Sequence, residues 1–281
     1  MKNEHHHQHH QQQEIKKAIR KTYGKIALQQ SNSESGSSSS SSCCAPGCCS
    51  GGEGTDSPAQ VAAIMGYDKS DLESIPQTSI LGVGCGAPVN FANLHKGETV
   101  VDLGSGAGID VFLSAKKVTE TGRVIGIDLT NEMLERARRN AKEHGFTNVD
   151  FRKGDIEHRI PVDDNSVDVV ISNCVINLTV NKVDAFKEIN RILKPGGGRM
   201  VISDLVTDTE IAPFDANAQM WSSCIDGALT KEHYIDSIRQ AGFQNVEVLS
   251  EQLYMDENDD GNQRNGKGRK ITSLVIKALK K

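Results

Sequence analysis

Hydrophobic and polar positions along the chain follow two different periods. Thr99 to Leu103, Arg123 to Asp128, Val149 to Arg152, Val167 to Asn173 and Met200 to Leu205 are short apolar runs rich in β-branched residues. Their length and near-continuous hydrophobicity predict strands buried on both faces. Glu132 to His144, between two of these runs, has helical spacing, and this alternation predicts an α/β core. Further on, Phe214 to Asp226 reads as helical, and Thr230 to Ala241 is a helix capped by Thr230 and stopped by Gly242. Gln244 to Tyr254 and Ile271 to Leu279, separated by the polar Asp256 to Lys270, predict an antiparallel hairpin that closes the sheet.

Ahead of the core the pattern is weaker. Met1 to Gln13 is a His/Gln-rich tract predicted to be unstructured, followed by an amphipathic helix from Glu14 to Gln30 that should lie on the core. Ser31 to Ser42 reads as a flexible linker. Ser57 to Met65 and Asp71 to Ile75 are expected as short helices with acidic first turns, and Val89 to Leu94 as another short helix. Between them, Gly84-Cys85-Gly86 offers a thiol with little steric shielding.

Charge narrows the partners. A formal net charge of -5 over 281 residues gives no support to a nucleic-acid partner. No apolar run approaches the roughly 18 residues of a membrane span, and the N-terminus lacks the apolar core of a signal peptide, so no membrane partner and a cytoplasmic address are expected. Seven cysteines in a reducing compartment would be mostly thiols. Four crowd together as Cys43, Cys44, Cys48 and Cys49. Nothing downstream supplies the second pair that a structural zinc knuckle needs. Soft-ion capture, thiol–disulfide exchange, or surface cysteines without a role remain as readings.

The strongest local signal is Val100-Val-Asp-Leu-Gly-Ser-Gly-Ala-Gly-Ile-Asp110. Gly104, Gly106 and Gly108 let the chain turn tightly after a strand and press its backbone against a ligand before a helix starts near Ile109. The spacing is G-x-G-x-G, not the dinucleotide pattern, and Asp102 sits inside the strand end. Asp128 closes the second strand about twenty residues beyond Gly108, placed to accept hydrogen bonds from two ribose hydroxyls. These features, with Gly154-Asp155-Ile156 after the third strand and Leu193-Lys-Pro-Gly-Gly-Gly198 before the fifth, resemble the Class I S-adenosylmethionine-dependent methyltransferases. The resemblance implies a Rossmann-like seven-stranded sheet with helices on both faces. It implies S-adenosylmethionine held by Asp102 and the glycine backbone near the methionine moiety, Asp128 on the ribose, Asp155 and Ile156 at the adenine, and Asn173 near the donor's amino-acid end. The neighbouring Glu157, His158, Asp163 and Asp164 read as solvated loop charges.

Three other cysteines come from segments expected to border that donor: Cys85 before the first strand, Cys174 after the fourth and Cys224 after the fifth. Gly84-Cys-Gly-Ala-Pro88, Ile171-Ser-Asn-Cys-Val-Ile-Asn177 and the Cys224 region are similar to the arsenite methyltransferases. That resemblance implies that Cys85, Cys174 and Cys224 bind trivalent arsenic, with one of Cys43, Cys44, Cys48 and Cys49 as a further candidate ligand. It implies arsenite, presented as a thiol adduct, as the small-molecule substrate and a thioredoxin- or glutathione-like thiol as reductant. The chain then divides into a tail, helix and Cys-rich segment (1–56), a donor-binding catalytic domain with a helical lead-in (57–207), and a C-terminal part carrying the last cysteine and the closing strands (208–281). The same core would serve a carbon or oxygen methyltransferase acting on a lipid or quinone-like acceptor, and the cysteines alone would serve a metalloid-binding redox sensor.

Overall fold

The computed structural model describes residues 2–29, 57–211, 221–258 and 268–281. The Cys43 to Cys49 segment and the whole Ser31 to Asp56 stretch around it lie outside the described residues. Within the core, β1 (Thr99–Leu103), β2 (Arg123–Asp128), β3 (Val149–Lys153), β4 (Val169–Asn173) and β5 (Arg199–Thr207) are parallel, and β6 (Phe243–Asp256) and β7 (Lys270–Lys280) close the sheet antiparallel. The order across the sheet is β3-β2-β1-β4-β5-β7-β6.

The apolar runs form strands because both faces have something to cover. Val101, Leu103 and Val170 pack on one side against Phe186 and Ile189 of the helix Lys182–Ile192, and against Tyr234 and Ile238 of the helix Lys231–Gln240. Val100, Val169 and Ile171 pack on the other against Val111, Phe112 and Leu113 of the helix Ile109–Val118. Neighbouring residues on a strand therefore belong to opposite cores, which is the period-two geometry of a pleated sheet. Because β1 is flanked by β2 on one side and β4 on the other, the chain order reverses there, and a crevice opens beyond the carboxyl ends of the strands.

The long N-terminal helix, α1, spans Lys2–Gln29. The His/Gln tract expected to be unstructured thus continues the amphipathic helix instead. No Gly or Pro interrupts Lys2 to Tyr23, and extending an existing helix fixes one residue per hydrogen bond gained, unlike starting one. Ile15 and Ile19 pack on Trp221, while Ala27 and the partly buried Tyr23 and Ile26 pack with Leu81, Ala107 and Met133.

Three local expectations change. The helix Pro58–Ile64 has no acidic first turn; Ser57 and Gln60 cap it reciprocally. The Val89 to Leu94 helix reduces to one tight turn at Pro88–Asn90, and the chain beyond it takes a left-handed bend at Asn93 (φ 46°). In the Phe214 to Asp226 segment, residues 214–220 are not described, and the helical path ends at Ser222, because Cys224 adopts φ 66°. No helix among the described residues is long and apolar enough to cross a membrane.

Candidate active site

The glycine turn after β1 folds back onto β2: the amides of Gly104 and Ser105 donate to the Ile127 carbonyl at 2.7 and 3.0 Å. Gly104 has φ 68°, and a Cβ there would sit 2.1 Å from Val175. Only glycine permits both the turn and that approach. Asp128 reinforces the turn, accepting from the Gly106 amide at 2.9 Å and the Thr130 amide at 2.8 Å.

These residues line a cavity beyond the strand ends, together with Asp155, Ile156, Asn173 and Cys174. Asp102, 3 % exposed, is among them. Its carboxyl is pushed well above the usual carboxylate range by burial and by the neighbouring charges of Asp110 and Asp128. Burial also raises Asp110, to about 7. Asp128 is raised for the same reason, against the hydrogen bonds it accepts. The cavity is therefore a concentration of acidic groups, and the Lys16 ammonium that also lines it is engaged with Asp155 and Glu157 at 2.6 and 3.1 Å. Such a site favours a cationic ligand with hydroxyls to donate. S-adenosylmethionine, which carries a sulfonium, an ammonium and a ribose, fits that donor set.

One cavity residue behaves differently from expectation. Glu157 is not a solvated loop charge: its side chain is 4 % exposed, pairs with Lys16 and accepts from the amides of Val180 and Asn181 at 2.7 Å each. Asp155 is held below the usual range although burial opposes this, because Lys16 of α1 donates to it. His158 and Asp164 are solvent-exposed, as their loop position suggests.

Asn173, at the end of β4, spends most of its amide on the loop that carries Cys85. Its Oδ1 accepts from the Cys85 amide at 3.0 Å, and its Nδ2 donates to the Gly86 carbonyl at 2.6 Å and to the Tyr67 hydroxyl at 3.0 Å. Tyr67 in turn donates to Asp110 at 2.8 Å, so a buried relay runs from the helix after the glycine turn to the cysteine loop. Ser273 of β7 donates to the Cys85 carbonyl at 2.6 Å. Held from β4 and β7, Cys85 is 6 % exposed, in contrast to the unshielded thiol that its glycine neighbours suggest.

Cys85, Cys174 and Cys224 meet in one small apolar cluster with Leu205, Ile225 and Ile271. Thiol contacts from Cys224 and from Cys85 raise the Cys174 thiol well above its usual value. The Cys224 thiol donates to the Cys174 carbonyl at 2.7 Å. Contact with Cys174 lowers the Cys224 thiol, but burial and the nearby Asp204 charge leave it raised overall. Both Cys174 (φ 59°) and Cys224 (φ 66°) occupy the left-handed region that non-glycine residues avoid. Strain of this kind persists only where the surroundings enforce it, and it clusters at functional centres.

Sequence reasoning missed Asp204. One of its carboxylate oxygens and the sulfurs of Cys85 and Cys174 all lie within 4.8 Å of one another. It is 2 % exposed, accepts from the Tyr234 hydroxyl at 2.9 Å and the Asn177 amide at 3.0 Å, and is raised by burial to about 6. Its sequence signal was a carboxylate inside an otherwise apolar strand, the same signal that marked Asp102. Tyr67 and Asp110 were also missed, and Tyr67 left no local signal because its partner is 43 positions away.

A methyltransferase-domain family model matches residues 94–242. An arsenite methyltransferase from Halobacterium salinarum is 41 % identical over 83 % of this chain and 59 % of its own length. The arsenite methyltransferase of Aquipseudomonas alcaligenes is 37 % identical over 63 % of this chain and 52 % of its own length. The chain spans a little over half the length of these curated relatives. A solved structure of an arsenic(III) S-adenosylmethionine methyltransferase from Chlamydomonas reinhardtii is 31 % identical, with a TM-score of 0.60 over 81 % of this chain and 75 % of that one. With a family model across more than half its length and this solved relative covered over most of its own, the chain belongs to the arsenite S-adenosylmethionine methyltransferase family, built on the Class I methyltransferase fold.

Proposed function

We propose that this chain transfers methyl groups from S-adenosylmethionine to trivalent arsenic held by Cys85, Cys174 and Cys224. The observation that carries the reading is the convergence of three thiols from remote segments beside a cavity whose acidic lining suits a cationic donor, with Cys174 common to the thiol cluster and the cavity wall. Arsenic(III) is thiophilic, and soft sulfur ligands hold it in preference to oxygen.

Loading balances without net charge. Arsenous acid exchanges three As–O bonds for three As–S bonds, and each thiol proton leaves on a hydroxide as water. Raised thiols are therefore suited to the site, since no isolated thiolate has to be buried. The bound donor would supply an electrophilic methyl. The protein's part is orientation: the three sulfurs fix arsenic, the arsenic lone pair carries no proton, and no general base is required. The glycine turn and Asp128 hold the donor, while the Tyr67–Asn173 relay fixes the Cys85 loop. After transfer, two sulfurs leaving as a disulfide would return an electron pair to arsenic, water would fill the vacated position with loss of a proton, and one thioredoxin-like dithiol or two glutathione-like thiols in the cytoplasm would reduce that disulfide.

Purified protein given arsenite, S-adenosylmethionine and a thiol should yield methylated arsenicals by mass spectrometry. Cys174→Ser should lower the rate by about a hundredfold or more, since losing one sulfur frees the arsenic to tumble out of the transfer axis. Undiminished methylation by Cys174→Ser would overturn the arsenic assignment and leave a transferase for a carbon or oxygen acceptor.

A further inference from the structure

A second cavity, of about 440 Å³, opens on the other side of the Cys85 loop. It shares only Met65 with the donor cavity. Gly84 faces the donor side, whereas Cys85, Gly86 and Ala87 line the second cavity, so this short stretch is a septum between the two. Asn173 and Ser273 pin that septum in place.

The rim of the second cavity has an unusual composition. The large hydrophobic side chains exposed among the described residues are Leu28, Ile64, Phe91 and Leu253, and the last three all border this opening. Its remaining lining includes Val61, Tyr254 and Val275, with no charged side chain. Strand β6 shifts register between Val248 and Ser250 and again between Leu253 and Met255. Irregularities of this kind re-aim side chains along a strand, here the stretch that includes the cavity residues Ser250, Gln252 and Leu253. The volume suits a small molecule and is too small for a folded partner.

We propose that this second cavity is the port by which a neutral trivalent arsenical reaches Cys85 and by which its methylated product leaves, separate from the opening used by the donor. The proposal rests on the arsenic-methyltransferase reading above. Arsenous acid is uncharged at neutral pH, and each methyl group makes it more apolar, which suits a cation-free, hydrophobic mouth. A carboxylate-bearing thiol adduct or a pentavalent oxyanion finds no compensating charge there. The carrier thiol is therefore shed outside. Two doors also let the acceptor load while the donor is bound.

The experiment is labelling of the full chain with N-ethylmaleimide, the Cys85 and Cys174 peptides being followed separately by mass spectrometry. S-adenosylhomocysteine filling the donor cavity should protect Cys174 and leave the Cys85 rate unchanged. Leu253→Trp, at a rim position that is 66 % exposed, should slow Cys85 labelling by about fivefold or more, and Leu253→Ala should not. The proposal is overturned if S-adenosylhomocysteine protects Cys85 as strongly as Cys174, or if a folded Leu253→Trp labels Cys85 at the wild-type rate. Should Leu253→Trp fail to fold, the S-adenosylhomocysteine comparison on the wild-type chain decides alone. Protection of all three cysteines by arsenite tests the arsenic reading independently, so the two failures are distinguishable.

Discussion

At the residue scale, Asn173 does more than its neighbours suggest. Replacing it by Ala removes three hydrogen bonds and leaves the Cys85 amide, the Gly86 carbonyl and the Tyr67 hydroxyl short of partners. Asn173→Ala should cost about 1–3 kcal/mol, read as a lowered denaturation midpoint at unchanged slope. It should also speed maleimide labelling of Cys85, which a purely global loss of stability would not do selectively. The three cysteines and the glycine turn were legible in the sequence because each sits in a short local signature. Asn173's partners were not, because Cys85 lies 88 positions away and Tyr67 106. The burial of Glu157 escaped notice for the same reason: its ammonium partner is on a helix at the other end of the chain.

At the element scale, α1 ties two parts of the site together. Lys16 holds the cavity carboxylates Asp155 and Glu157, while Tyr23 donates to the Ser222 carbonyl at 3.2 Å, next to the segment that carries Cys224. Lys16→Ala should destabilise the chain by about 1–2 kcal/mol, a figure discounted for the partial exposure of Asp155, because it leaves two carboxylates without their cation. After protease cleavage between α1 and Pro58, release of the helix should be faster in this variant; equal release rates would argue that its contacts with Trp221, Leu81 and Met133 hold α1 without Lys16. Strand positions were readable because central parallel strands bury both faces and leave unbroken apolar runs. The end of the helix before Cys224 was not, since helical spacing carries no notice of a left-handed residue imposed by a tertiary contact.

At the scale of the whole molecule, the acidic cavity makes stability and ligand binding depend on pH in opposite directions. Asp102, Asp110 and Asp128 all have raised carboxyls in the fold, Asp110 at about 7. A folded pKa above the unfolded one means that the native state binds the proton more tightly, so stability falls as pH rises from the unfolded value through the folded one. The unliganded chain should therefore melt lower at pH ~8 than at pH ~5.5. A cationic donor favours the ionised carboxylates, so S-adenosylmethionine should bind more tightly as pH rises over the same range and release protons in calorimetry. S-adenosylhomocysteine, without the sulfonium charge, should release fewer, and equal release would refute the electrostatic account of the cavity. The α/β alternation was readable from strand spacing and the seven-stranded sheet from the family resemblance, whereas the acid cluster arose only when β1, β2 and the helix Ile109–Val118 were brought to one edge. That same edge forces Cys174 and Cys224 into a backbone conformation suited to glycine. At an ordinary helix or strand position, glycine is about 0.5–1 kcal/mol worse than alanine, but at these two the ranking should invert, with Cys174→Gly and Cys224→Gly melting above the matching Ala variants. Cysteine at these two positions therefore carries a backbone cost that the surrounding packing has to offset.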